Sequence, residues 1–257
     1  SEMRGEDMLN IAQFYLVTYT STYTTVSPNN VNMWSQLYAL INKANLSIAG
    51  FRAANSKSVL TSTDAAQYEA ECRFLRALAH HELVINFARP YLDGNGSQPG
   101  VPYHDYAVAS SAAVNQVFSQ KRDSVSVVYT KMLADLDYAE INLPASLGSA
   151  NTIRATKAAA IALKMRIKIH KGDWAGAIAE GNKLIPASIN PLAYTTVISP
   201  IGNWSLPANP NGAFTNNLSS ESIFSVKNDL NDNTGVNAAM AQMFGTVRNA
   251  NPPFTGA

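Results

Sequence analysis

Lys171–Gly181 reads KGDWAGAIAEG, and this stretch decides the fold. Gly172 is typical of the residue that follows the end of a helix, and Asp173 is typical of the cap at the start of the next one. Two helices joined by so short a turn form an antiparallel helical hairpin. Glycine, aspartate and an aromatic residue, with Ala177 three positions after Trp174, also form the turn of tetratricopeptide units, which repeat about every 34 residues.

The remainder of this hairpin is less specific. Lys164 and Lys168 lie where a tetratricopeptide unit has apolar residues, so an ordinary helical hairpin with the same turn stays open at this point. Trp174 and Ile178 recur at the spacing of one helix face, and we therefore predict that Trp174 is a core residue. Trp34, on another predicted helix, is not expected to bind a ligand either.

Apolar residues at helical spacing predict four more helices. They run over residues 32–50, 64–87, 123–142 and 154–171, and the last is followed by the helix that Asp173 caps. Residues 62–64 supply cap candidates for the second of these helices. Gly50 marks the expected end of the first.

Segments rich in polar residues, proline, glycine or asparagine separate these helices and predict loops. Residues 18–30, 89–107 and 189–220 have this composition. The best strand candidate covers residues 221–229, and a brief helix is predicted over residues 237–244. We therefore predict a single domain over residues 1–257, with a helical repeat core at 32–188 and a loop-rich part at 189–257 that is cut short at its end.

Composition excludes several classes of protein. The chain has 257 residues, of which 46% are hydrophobic, and this is enough for a sizeable core. The net charge of +1 with 14% charged residues gives no basic surface for a nucleic acid. The lone Cys72 cannot form an internal disulfide. No apolar run approaches the roughly 20 residues of a membrane-spanning helix.

The residues that could carry catalysis or hold a metal ion form no recognised motif. His80 and His81 are adjacent, so on a helix they point in different directions and cannot hold one ion together; we expect one packed and one solvated. His104 and Asp105 could be half of a catalytic dyad, but no Gly-x-Ser-x-Gly motif accompanies them. We therefore predict no catalysis, no metal and no cofactor.

Charged residues on the predicted helices favour structural ion pairs. Arg73 and Arg76 lie three residues apart beside several carboxylates, which makes ion pairs a better interpretation than a phosphate or carboxylate site. Carboxylates two residues apart face different directions on a helix, so an acid–base pair is not expected from them.

Five ordered blocks between residues 32 and 229 resemble the SusD/RagB family, the surface lipoproteins of nutrient-uptake systems in Bacteroidetes. The blocks are MWSQLYALINKANLSI, YEAECRFLRALAHHELVINFARP, VYTKMLADLDYAEINLP, RATKAAAIALKMRIKIHKGDWAGAIAEGNKLI and ESIFSVKND. Each block alone is only loosely similar to the sequences of this family, and the order of the five blocks carries the resemblance.

This resemblance implies a mainly α fold of tetratricopeptide-like hairpins in an α-α superhelix, with long irregular loops and little strand. It implies binding of a nutrient oligosaccharide or polysaccharide at the extracellular face of the outer membrane, without catalysis. It also implies delivery to a SusC-type TonB-dependent transporter. A lipid anchor is expected on a cysteine near the precursor N-terminus, to which no residue here corresponds. Family members are usually longer, so we expect a fragment or a short member.

Three alternatives stay open. The chain could be a helical-repeat scaffold that binds only protein, a hydrolase of polysaccharides, or a binder of a peptide or another nutrient within the same family.

Sugar sites combine aromatic faces, which pack against CH groups, with amides and acids that hydrogen-bond to hydroxyl groups. The resemblance implies that the loop before the first long helix contributes to the ligand surface. Aromatic and amide residues in the three loops are therefore the candidate ligand residues, unless they anchor their loops on the helical core. They are Tyr19, Tyr23, Asn29, Asn30, Tyr103, Trp204 and Phe214.

Overall fold

The computed structural model describes residues 16–185, 199–202, 204–207 and 219–227. The brief helix predicted over residues 237–244 and the candidate ligand residue Phe214 lie outside these ranges. Within them the chain forms seven α-helices and no β-strand. The helices are α1 (Leu16–Tyr19), α2 (Pro28–Ser56), α3 (Ser62–Phe87), α4 (Ser111–Ser119), α5 (Val125–Asn142), α6 (Lys157–Lys171) and α7 (Trp174–Leu184).

The long helices pack in series. Helix α3 lies against α2 and α5, and α6 lies against α5 and α7. One continuous core of buried apolar side chains runs through α2, α3, α5 and α6. The predicted mainly α architecture of stacked helical hairpins is therefore confirmed.

The α6–α7 turn forms as its residues predict. Gly172 adopts the left-handed conformation, with φ at 79°, and its backbone N–H donates to the carbonyl of Ile169 at 3.0 Å. A residue with a Cβ is strained in this conformation, which accounts for the glycine. The Asp173 carboxylate accepts from the backbone N–H of Gly176 at 2.9 Å and caps α7.

Helix α2 is longer at both ends than predicted. It starts at Pro28, because the ring of a proline in the first turn fixes a helical φ and the missing N–H costs nothing there. It also continues through Gly50, because packing of α2 against α3 outweighs the low helix propensity of one glycine. As a result Asn29 and Asn30 lie on the first turn of α2 and not in a loop.

Two further boundaries differ from the sequence prediction. Thr61, one residue before the predicted cap candidates, caps α3 by accepting from the backbone N–H of Asp64 at 3.1 Å. Helix α4 was not predicted at all; it is short, and no residue of it is buried.

The predicted strand at residues 221–229 is not formed over the part of it that the structure describes. Residues 222–227 have no regular structure, and the backbone N–H of Ser225 donates to the carbonyl of Thr152 at 2.7 Å. Ile223 and Phe224 pack on the core, and the Phe224 ring lies 4.9 Å from that of Phe74.

Trp174 is not a core residue, and the prediction that it would be is wrong. Its side chain is 61% exposed and that of Ile178 is 65% exposed, whereas Ala177 and Leu184 face the interior. The reason is that α7 packs against α6 alone among the described helices, so no neighbour covers its outer face. None of the described helices is both long and apolar enough to cross a membrane.

Candidate ligand-binding site

A groove lies at the N-terminal end of α2, between this helix, the preceding loop and the end of α3. Its volume is about 780 Å³. We call it the Tyr23 groove. The lining residues that matter here are Thr18, Tyr23, Asn29, Asn30, Trp34 and Phe87. The groove thus brings together three of the seven candidate ligand residues.

Hydrogen bonds fix the loop that forms one wall of the Tyr23 groove. The Asn30 side-chain amide donates to the carbonyl of Thr24 at 3.2 Å. The backbone N–H of Thr24 donates to the Ser27 hydroxyl at 2.8 Å. The Asn29 amide donates to the Thr18 hydroxyl at 3.5 Å. Because each asparagine uses only one of its two N–H donors in these bonds, the amide groups retain capacity for a ligand.

Trp34 forms the aromatic part of the Tyr23 groove together with Phe87. The two rings meet edge to face, with centroids 5.1 Å apart and an interplanar angle of 82°. Tyr38 also packs on Trp34, with ring centroids 4.8 Å apart. A half-buried ring in edge-to-face and tilted contact with two aromatic neighbours keeps a fixed orientation, which suits it to stack against a ligand. The groove therefore offers apolar faces next to amide and hydroxyl groups.

Trp34 is the groove residue that the sequence argument missed. With the helix start placed at residue 32, Trp34 lay in the first helical turn and the asparagines lay in a loop. With the start at Pro28, Asn30 and Trp34 are four residues apart and share a helix face. The Ser27-Pro28 pair, a typical helix start, was the signal that could have found it.

The remaining candidate ligand residues do not join the Tyr23 groove. Tyr19 is half-buried at the end of α1 and does not line the groove. Trp204 packs on the α6–α7 hairpin, and its indole N–H donates to the carbonyl of Ser222 at 2.9 Å. Phe214 lies outside the described residues.

Tyr103 was a candidate because it stands in a loop, but its side chain is only 2% exposed. Its hydroxyl donates to Asp135 at 2.5 Å, and its ring stacks on His80 with centroids 3.8 Å apart. Burial is the largest cause that raises the pKa of Tyr103, followed by the Asp135 charge. Tyr103 therefore anchors its loop in the core, and we leave it out of the proposed site.

The arginines of α3 form structural ion pairs. Arg76 donates two hydrogen bonds to Asp135 of α5, at 2.7 and 2.6 Å, and a third to the Asn45 amide oxygen at 2.7 Å. Arg73 lies 2.6 Å from Glu69 and 3.4 Å from Asp135. These guanidinium groups are paired with carboxylates inside the helical stack, and this confirms the ion-pair interpretation.

The adjacent histidines of α3 are both buried, and the expectation that one would be solvated is wrong. Burial lowers the pKa of His80 to about 3. Burial, followed by the His170 and Arg166 charges, lowers the pKa of His81 to about 4. The cause is that α3 has neighbours on several sides, namely α2, α5 and α6. Both histidines are therefore neutral packing residues at physiological pH.

Two other cavities lie where the chain after α7 folds back on the helices. One of about 510 Å³ is bounded by α3, α6 and residues 219–224, and one of about 220 Å³ lies beside Trp204. Their linings include residues next in sequence to the segments 186–198 and 208–218, which the structure does not describe. Among the described residues, no cluster of three or more histidine, cysteine or acidic side chains could hold a metal ion.

Similar proteins with known structures share this architecture. A SusD superfamily protein from Bacteroides fragilis is 26% identical with a TM-score of 0.69, and the match covers 86% of this chain and 46% of that one. A SusD superfamily protein from Bacteroides vulgatus is 20% identical with a TM-score of 0.63, over 85% of this chain and 40% of that one.

A laminarin-binding SusD-like protein is 22% identical with a TM-score of 0.59, over 75% of this chain and 36% of that one. The chain thus spans less than half the length of each of these three proteins. No curated protein sequence matches it significantly.

The sequence profile of a SusD-like family, described as "Starch-binding associating with outer membrane", matches residues 3–169. This match covers more than half of the 257 residues and includes α2, α3, α5 and most of α6. The chain therefore belongs to the SusD/RagB family of SusD-like proteins.

Proposed function

We propose that the chain captures a nutrient oligosaccharide or polysaccharide in the Tyr23 groove and passes it, uncleaved, to a SusC-type TonB-dependent transporter. It acts at the extracellular face of the outer membrane, held there by a lipid anchor. The description of its family supports glycan binding and association with the outer membrane. The observation that carries the choice of site is the meeting of Tyr23, Asn29, Asn30 and Trp34 in one groove.

The chemistry of the Tyr23 groove suits a neutral sugar. The CH groups of a pyranose ring pack against an aromatic face, and its hydroxyl groups both donate and accept hydrogen bonds. The Asn29 amide, the Thr18 hydroxyl and the Tyr23 phenol can serve these hydroxyls, and Trp34 can take the ring face. None of the described residues that line the groove is Asp, Glu, Lys, Arg or His, so among them a charged ligand would have no counter-ion.

The same lining supports binding without cleavage. Glycoside hydrolysis generally uses two carboxyl groups on opposite sides of the scissile bond. The Tyr23 groove contains no carboxylate from the described residues. Incubation with starch or laminarin should therefore release no reducing ends, and steady release of reducing sugar would favour the hydrolase alternative.

The site is tested by affinity electrophoresis in gels that contain starch or laminarin, followed by calorimetry with soluble oligosaccharides. We expect Tyr23→Ala to weaken binding by about tenfold, because losing one hydrogen-bonding contact to the sugar, worth about 1.4 kcal/mol, changes affinity by that factor. Tyr68→Ala is the matched control: this tyrosine packs on Phe51, outside the groove. Equal binding by the wild type and Tyr23→Ala would remove the Tyr23 groove as the site.

Delivery to a transporter is tested separately. A gene for a TonB-dependent transporter next to that of this chain supports the proposal, and its absence contradicts it. The two proteins should also co-purify from detergent-solubilised outer membranes, and this does not depend on the glycan.

A protein-binding scaffold is the second candidate, and one observation favours it. Trp174, Ile178 and Ile185 are exposed, and their spacing places them on one face of the α7 region. Capture of a protein partner by this face, together with no retention by any glycan, would favour the scaffold over the glycan binder.

A further inference from the structure

A second groove shares the Trp34 side chain with the Tyr23 groove. It has a volume of about 570 Å³ and lies between α2, the loop at residues 102–108 and α4. We call it the Phe118 groove and define it by Trp34, Tyr38, His104, Val114, Val117 and Phe118. Trp34 lines both grooves, so the two meet at this side chain.

Helix α4 forms the outer wall of the Phe118 groove. Val114, Val117 and Phe118 have the spacing of one helix face, and Phe118 is 84% exposed. The helix is tied to the loop through Gln120, which accepts from the Tyr106 hydroxyl at 2.8 Å and donates to the carbonyl of Tyr103 at 3.2 Å. An exposed phenylalanine on an anchored helix, beside an aromatic groove, is typical of a ligand-binding surface.

The polar groups of the Phe118 groove divide into two sets. The Tyr38 hydroxyl donates to the carbonyl of Pro102 at 2.8 Å, and the Asn42 amide exchanges hydrogen bonds with the backbone of Val108. By contrast, the structure shows no hydrogen bond between a His104 ring nitrogen and any described residue. The His104 ring is held between Tyr38 at 4.9 Å and Tyr106 at 5.6 Å.

A half-buried neutral imidazole carries one donor and one acceptor. Burial lowers the pKa of His104, although Asp105 and Asp123 oppose this effect, so the neutral ring is favoured. Sugar hydroxyl groups can satisfy both nitrogens while the rings of Tyr38 and Phe118 cover CH faces. An apolar side chain in the same place would leave both imidazole nitrogens without hydrogen bonds.

We infer that the Phe118 groove is a second glycan subsite, which holds the sugar units that extend across Trp34 from those in the Tyr23 groove. The ligand is then a chain of several units and not a mono- or disaccharide. This inference rests on the proposed function, since it requires that the Tyr23 groove binds glycan.

The test is calorimetry with maltooligosaccharides and laminarioligosaccharides of increasing length, from the disaccharide to the heptasaccharide. Wild-type affinity should rise with length until both grooves are filled. Phe118→Ala should lower the affinity for the long oligosaccharides by about tenfold and leave the disaccharide affinity unchanged. His104→Phe, which keeps a ring but has no ring nitrogen, should lower the affinity for the long oligosaccharides by a smaller factor. Trp174→Ala is the control, as another exposed aromatic outside both grooves.

The possible results separate the two proposals. If Tyr23→Ala weakens binding of every oligosaccharide but Phe118→Ala changes none, the second subsite is wrong and the proposed function stands. If wild-type affinity does not increase with length, the second subsite is also wrong. If Phe118→Ala weakens long ligands and Tyr23→Ala has no effect, the Tyr23 groove is wrong and the inference fails with it. If Phe118→Ala weakens the binding of a hydrophobic peptide and of no glycan, the inference is wrong and the groove is a docking surface for a protein.

Discussion

The α3–α5 interface and the outer face of the α6–α7 hairpin use the same helical architecture in opposite ways. The first buries charged side chains, with Arg76 only 6% exposed and paired with Asp135, while the second leaves Trp174 in solvent. Helix α3 has neighbours on several sides, whereas α7 contacts only α6 among the described helices. For these side chains, burial follows the number of packed neighbours more closely than the polarity of the residue.

This contrast also explains why the ion pairs of the core carry no ligand chemistry. Arg76, Asp135 and Tyr103 satisfy one another inside the stack. The groups proposed to meet a ligand line the two grooves that share Trp34. In the proposed function, a ligand is therefore recognised at the edges of the helical stack, and the helical interior holds those edges in place.

The largest effect is expected from Asp135→Ala, which removes one partner of the buried ion pair at the α3–α5 interface. It leaves the buried Arg76 guanidinium without its counter-ion and the Tyr103 hydroxyl without its acceptor. Loss of one partner of a buried pair costs about 3–5 kcal/mol, and we expect a decrease of this size in the free energy of unfolding measured with urea.

The control is Asp137→Ala, two residues further along α5. The Asp137 carboxylate is 62% exposed and pairs with Lys164, so its loss should change stability by less than about 1 kcal/mol. The double variant with Arg76→Met and Asp135→Leu should recover most of the stability, because no unpaired charge remains buried. Similar small losses in Asp135→Ala and Asp137→Ala would show that the Arg76–Asp135 pair does not stabilise the stack.

Local chemistry made part of this fold predictable. Gly172 and Asp173 fixed the α6–α7 turn because each acts through its own backbone conformation or one nearby hydrogen bond. The start of α2 also depends on a local residue, since Pro28 marks it, but the polar residues around this proline suggested a loop. Helix α4 escaped prediction because its nine residues are fewer than the window over which apolar periodicity identifies a helix.

The candidate site was predictable only in part, because exposure depends on contacts far apart in the sequence. Tyr23 and Asn29 could be proposed from composition and from the family resemblance. Tyr103, in a similar loop, is buried by Asp135, a residue 32 positions away. Trp34 and Trp174 share helical spacing, yet one lines a groove and the other lies in solvent, a difference that only the packing of neighbouring helices decides.

A smaller effect is expected from acid, through the buried histidines of α3. The pKa of His81 falls from 6.5 to about 4 on folding, so the folded state favours the neutral ring. Its stabilising contribution is complete above pH 6.5 and is lost as pH falls towards 4. Stability should therefore fall between pH 6.5 and 5 by up to about 1.4 kcal/mol per pH unit for each such histidine.

Urea unfolding at a series of pH values measures this slope. His80 contributes in the same direction, since its pKa is lowered to about 3. The variant His81→Gln keeps a side-chain N–H that can reach His170. It removes one titrating group, so the free energy of unfolding should fall less steeply as the pH is lowered, by up to about 1.4 kcal/mol per pH unit. The remaining histidines account for the slope that is left. Above pH 5 the carboxylates whose pKa is lowered, such as Glu69 and Glu140, remain ionised and add little. Stability that does not change between pH 6.5 and 5 would contradict the burial of these rings.

The smallest effect is expected on the outer face of α7, where Trp174→Ser should cost less than about 1 kcal/mol in the isolated chain. Most of the indole is already in water, so little apolar area is lost from the interior. Leu184→Ser is the matched comparison on the same helix: this leucine is 6% exposed, and its loss should cost about 2–5 kcal/mol. If both variants lose the same stability, another segment covers Trp174. The burial of Trp174 would then depend on its packed neighbours, as burial on α3 does.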